Sequence, residues 1–170
     1  MTEETLHYFA YGSNLSVKRL QKRVPGATPL GVYFLPEHQL LFHKQGKDGS
    51  AKCDAAHTGN PTDLVYGVLY TIPRREKPFL DLAEGLGVGY QSRDVTIFDA
   101  DQQPQTAMTY YAILINRRMA PYSWYKSHVL TGAREAGRPA EYIEKIQQIE
   151  AVEDQDYERE MLERSIYLPV

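Results

Sequence analysis

Apolar positions recur with the spacing of strands through the first two thirds of the chain and with the spacing of helices at its end. A short apolar run, Tyr8-Phe9-Ala10-Tyr11, breaks into Gly12-Ser13-Asn14, and Val17, Leu20 and Val24 then follow at i, i+3 and i+7, which predicts a short helix before Pro25-Gly26. Residues 31–42 (GVYFLPEHQLLF) read as one strand interrupted at Pro36, as an edge strand or a bulge would be. KQGKDGS is a loop, AKCDAAHT a weaker strand, and the turn Asn60-Pro61-Thr62-Asp63 leads into LVYGVLYTI, the clearest strand of all.

Pro73 suits the first turn of a helix over residues 74–85, which Pro78 would shorten or kink and Gly85 would end. QSRDVTIFD and TAMTYYAILI predict an antiparallel pair around DADQQPQ. From Tyr122 onward three helical segments follow, with Gly137 and Pro139 separating the first two. About six strands with interspersed helices predict an α+β fold: a small mixed β-barrel with flanking helices, formed by residues 1–170 as a single domain.

Composition narrows the function classes. The 170 residues carry a formal net charge of -3 with acids and bases intermixed, so neither a nucleic-acid nor a membrane partner is expected. The beginning of the chain is acidic where a signal peptide would be basic, and no apolar stretch is long enough for a membrane span. A lone cysteine, Cys53, fits a reducing, cytoplasmic setting. Tyrosine is over-represented, with 13 copies against 5 Phe, which suits half-buried strands or a cavity needing hydroxyl donors.

Several motifs fall short of a function. EGLGVGY would place Tyr90 where a dinucleotide fingerprint needs its third glycine, and it leads into a strand rather than a helix. Cys53, Asp54 and His57 make an incomplete ligand set, so no metal is expected. No nucleophile elbow surrounds Ser13. Lys18, Arg19, Lys22 and Arg23 read as a solvated basic face. Glu84 stands out: it ends an apolar helical stretch where the helix dipole disfavours an acid. Exposed, it would be an ordinary terminal carboxylate; buried, it would be suited to act as a general base.

FAYGSNL, LDLAEG followed by a tyrosine and a strand, and YKSHVLTGAREAGRPAEYIEKI together resemble the gamma-glutamyl cyclotransferase-like family, in the right order across most of the chain. The resemblance implies a small barrel with flanking helices and an enzyme that converts a gamma-glutamyl compound into 5-oxoproline and a free amino acid or amine, without a cofactor. It assigns Tyr8, Phe9, Ala10, Tyr11, Gly12, Ser13 and Asn14 to a substrate-cradling loop, Glu84 to the catalytic acid/base, and Tyr90 and Tyr125 to the pocket wall. The loop from Glu84 to Tyr90 is shorter than in animal members of the family, and Arg138 stands where an apolar residue is common.

The chemistry fits a chain without a recognisable nucleophile motif, because the attacking amine belongs to the substrate. What such a site must supply is a proton shuttle and donors for the developing oxyanion. Gly12 would allow close backbone approach, Asn14 would cap the helix that follows, and the free N–H groups at that helix start suit either the oxyanion or the substrate α-carboxylate. Residues 43–60 and 115–124 are expected to build the leaving-group side. The alternatives are a non-catalytic binding or regulatory module of the same fold, a relative acting on a gamma-glutamyl-amine or aminoglycoside-linked substrate, and a metal hydrolase using Cys53 and His57. The expected partner is a small gamma-glutamyl molecule, and homodimer formation is left open.

Overall fold

A computed structural model describes residues 2–169. Five strands close a barrel in the order β1 (Thr5–Ala10), β5 (Leu64–Pro73), β2 (Thr28–Pro36), β6 (Tyr90–Phe98) and β7 (Pro104–Ala112). The strand read most clearly from the sequence, β5, lies between β1 and β2, antiparallel to both, and buries Val65, Val68, Leu69, Tyr70 and Ile72. The β6–β7 hairpin forms as expected, with Tyr90 opposite Ala112 and Phe98 opposite Pro104. A parallel contact between Tyr8 and Met108 and an antiparallel one between Phe34 and Phe98 complete the ring. The two phenylalanines stack there with centroids 5.9 Å apart.

The expected count of about six strands becomes seven among the described residues, five in the barrel and two in a separate sheet. The difference arises within residues 31–42, which are two strands rather than one. Glu37 adopts φ 64 and breaks the run, so β2 stays in the barrel while β3 (His38–Gln45) pairs with β4 (Ala51–His57). A left-handed residue that is neither Gly nor Asn gives no sequence signal for such a break.

Helices flank the barrel: α1 (Val17–Arg23), α2 (Lys77–Glu84), α3 (Ser123–Glu135), α4 (Ala140–Gln147) and α5 (Tyr157–Ser165). Pro73 closes β5 and a 3-10 turn over Arg74–Glu76 precedes α2, so Pro78 falls in the first turn of α2, where it causes no kink. Gly85 ends α2 in the left-handed conformation at φ 65. The Gly85 N–H returns to the Leu82 carbonyl and that of Leu86 to Asp81, a double closure that fixes the direction of Glu84 and the loop beyond it. Among the described residues no helix is long and apolar enough to cross a membrane.

Candidate active site

The first strand does not run directly into α1. A 3-10 turn over Ser13–Leu15 intervenes, and Ser16 is the helix cap, its hydroxyl accepting from the Arg19 N–H at 3.3 Å. The expectation that Asn14 caps the helix is therefore corrected. The extra turn instead directs the Asn14 side chain inward, where it is 3% exposed. Its Nδ2 donates to Glu84 Oε1 at 2.9 Å and to the Tyr8 hydroxyl at 3.1 Å. Its Oδ1 accepts from the Arg23 guanidinium at 3.3 Å.

Glu84 is the last residue of α2, yet its side chain is only 14% exposed. The unfavourable dipole at that helix end is offset by Asn14 and by Arg23, whose guanidinium lies 3.5 Å from Oε1. Leu82, two residues earlier, is 81% exposed, so the carboxylate faces inward at an otherwise solvated helix end.

Glu84, Asn14, Tyr8, Tyr11, Gly12, Ser13, Tyr90 and Tyr125 all line one cavity of about 240 Å³. Phe9 and Ala10 do not. Both are fully buried in the core, with the Phe9 ring packed against Gly67 of β5, so only part of the proposed cradle reaches the cavity. The N–H groups of Gly12, Ser13 and Asn14 have no acceptor among the described residues, and all three residues line the cavity. A methyl added to Gly12 would lie 3.0 Å from Cys53 Cβ and 3.6 Å from the Tyr125 hydroxyl. The approach to β4 is closer there than an ordinary Cβ contact.

Tyr90 and Tyr125 hold that strand from both sides. The Tyr90 hydroxyl donates to the Cys53 carbonyl, and the Cys53 N–H donates to the Tyr125 oxygen at 3.0 Å. Burial pushes the phenols of Tyr8, Tyr11, Tyr90 and Tyr125 well above the ordinary tyrosine range, so the wall is built of neutral hydroxyls.

Sequence reasoning missed the basic side chains of the cavity: Arg19, Arg23, Lys44, Lys47 and Lys52. The basic face of α1 is divided rather than wholly solvated. Lys18 and Lys22 are exposed, whereas Arg19 and Arg23, four residues apart, turn inward. That spacing was the available signal. Of residues 43–60, Lys44 to Asp48, Lys52 and Cys53 of the β3–β4 hairpin line the cavity. Residues 115–124 do not line the cavity, although their neighbours Leu114 and Tyr125 do.

Cys53, Asp54 and His57 diverge. Cys53 faces the cavity, Asp54 accepts from the Ala112 N–H at 2.9 Å and bonds the His43 ring at 2.7 Å, and His57 is exposed.

The AIG2-like family model matches residues 64–146, from the start of β5 into α4. Gamma-glutamylcyclotransferase from Homo sapiens is 34% identical over 160 residues, which span 91% of this chain and 82% of that protein. A putative gamma-glutamylcyclotransferase from Bacillus subtilis is 27% identical over 149 residues, 85% of this chain and 52% of that protein. A solved structure of a gamma-glutamyl cyclotransferase superposes with a TM-score of 0.83 at 27% identity, covering 95% of this chain and 99% of that one. The chain belongs to the gamma-glutamylcyclotransferase family.

Proposed function

We propose that this chain is a gamma-glutamyl cyclotransferase in which Glu84 is the general acid/base. The carrying observation is a carboxylate, 14% exposed and hydrogen-bonded by Asn14, in the same cavity as three amide N–H groups without protein acceptors. In the reaction the substrate α-amine attacks its own γ-carbonyl carbon. The new C–N bond closes a five-membered ring, the original amide C–N bond breaks, and 5-oxoproline leaves together with an amine.

Glu84 takes a proton from the α-ammonium, which frees the amine to attack, and releases it to solvent; after attack it takes the second proton from the nitrogen that has joined the ring and delivers it to the departing nitrogen, which leaves as a neutral amine. One carboxylate serves both steps because the two nitrogens flank the same carbon. The N–H groups of Gly12, Ser13 and Asn14 offer donors to the γ-carbonyl oxygen as it gains charge, each such donor contributing about 3 kcal/mol in comparable sites. The neutral tyrosine wall keeps water from competing, and holding amine and carbonyl together exploits effective molarities of about 10⁵–10⁸ M. Asn14 and Arg23 act through Glu84 by fixing the orientation of its carboxylate.

This reading takes residues 1–170 as one domain and the setting as cytoplasmic, in keeping with a sole cysteine that is buried as a free thiol. The test is incubation of the purified protein with a panel of gamma-glutamyl dipeptides and gamma-glutamyl amines, scoring 5-oxoproline by mass spectrometry. Release from at least one compound is expected. Silence across the panel would favour the binding-module alternative.

A further inference from the structure

Among the basic side chains that line the cavity, Lys44 is set apart by being buried without a counter-ion. Arg19 pairs with Glu163, Arg23 with Glu84 and Lys52 with Asp48, whereas the Lys44 ammonium has no ion-pair or hydrogen-bond partner among the described residues. Lys44 is only 8% exposed and sits on β3 at the register shift that follows Phe42. Its Nζ lies 4.7 Å from the centre of the Tyr90 ring. The backbone at Gly89 approaches so closely that an added methyl would come within 2.6 Å of Nζ.

Tyr90 and Gly89 therefore hold the ammonium at the cavity wall. Burial lowers its proton affinity, and the charges on Glu84 and Asp48, neither of which bonds it, oppose that loss. A cation taken out of bulk water without a carboxylate partner is costly, and a bound anion relieves that cost.

We infer that the Lys44 ammonium receives the carboxylate of the substrate's leaving portion, so that Lys44 is a specificity-determining residue favouring gamma-glutamyl amino acids over gamma-glutamyl amines. The inference rests on the cyclotransferase reading above. In that reading the γ-glutamyl half lies with its amine and carbonyl between Glu84 and the amides of Gly12 to Asn14. Lys44 comes from a different sheet, on the hairpin that also brings the exposed Lys47 to the cavity. A leaving portion that carries a carboxylate can set it against that ammonium, which the γ-glutamyl amine and carbonyl do not need.

Gamma-glutamyl-alanine and gamma-glutamyl-ethylamide differ by that one carboxylate, and their ratio of kcat/KM for 5-oxoproline release is the readout. The wild-type protein is expected to favour the alanine compound at least about tenfold, the value of one good charged contact. Lys44→Met should bring the ratio close to one, and Lys44→Arg should keep part of the preference. A wild-type ratio near one, or an unchanged ratio in Lys44→Met, overturns the inference. So does an equal loss on both compounds, which would place Lys44 on the shared γ-glutamyl half.

Should Lys44→Met fail to fold, product inhibition of the wild type decides: free alanine should inhibit more strongly than ethylamine, and equal inhibition contradicts the assignment. A different failure, no 5-oxoproline from either compound, overturns the cyclotransferase reading and this inference with it.

Discussion

Asn14 Nδ2 donates to Glu84 Oε1 across 2.9 Å, joining the turn after the first strand to the end of α2, 70 residues further along the chain. The same amide group is engaged by Tyr8 and Arg23, so its orientation is fixed from three sides. Asn14→Ala frees the carboxylate to turn. We expect kcat to fall about a hundredfold while KM changes only a few-fold, with a stability loss of about 1–2 kcal/mol. Steady-state kinetics beside a thermal melt separates the two effects. A rise in KM at constant kcat would mean that Asn14 binds substrate rather than positioning Glu84.

Gly12→Ala should damage fold and activity together. The added methyl would press on Cys53 Cβ at 3.0 Å, on a strand held from both sides by Tyr90 and Tyr125. The expected cost is about 1–3 kcal/mol, read as a lower midpoint in urea, with a loss of turnover because the neighbouring amides shift. A variant as stable and active as wild type would make Gly12 an ordinary turn residue.

The buried end of α1 makes stability depend on acid. Burial pushes the Glu163 carboxyl up, but the His128 hydrogen bond and the Arg19 charge more than reverse this and hold it at about 2. A folded-state pKa below the unfolded value of 4.5 stabilises the protein above pH 4.5, and that contribution is lost as pH falls towards about 2. Melting temperatures across this window should drop less steeply in Glu163→Gln than in wild type. Identical slopes would show that the α5 contact contributes nothing to acid lability.

Cys53 should be inert in the native state. Burial pushes its thiol up to about 12, with Tyr125 pulling only partly in the other direction. An aromatic disulfide reagent at pH 8 should label it slowly or not at all until denaturant is added, and then at one equivalent per chain. Rapid labelling of the folded protein would mean that the cavity wall around β4 opens.

Periodicity made much of this legible. The β6–β7 hairpin and β5 could be read because apolar, β-branched and aromatic runs bounded by turn residues mark strands, β5 being buried along most of its length, and the division between α3 and α4 because Gly137 and Pro139 lie between them. The break between β2 and β3 could not, since it depends on Glu37 in a left-handed conformation. Asn14 is not the cap because it lies within a 3-10 turn, and Ser16, two residues further on, takes that position. The basic wall was missed for a different reason. Lys44 and Lys52 meet Arg19 and Arg23 only after the β3–β4 sheet folds against the barrel, a juxtaposition that local spacing does not encode.

Glu84→Gln tests most directly the proposal that Glu84 moves the proton. Glutamine keeps the size of the side chain and an oxygen to accept from Asn14, but it has no carboxylate to protonate. The rate of 5-oxoproline release should fall by about 10³-fold or more, with the melting temperature and substrate affinity close to wild type. Turnover at the wild-type rate in a folded Glu84→Gln protein would contradict the account.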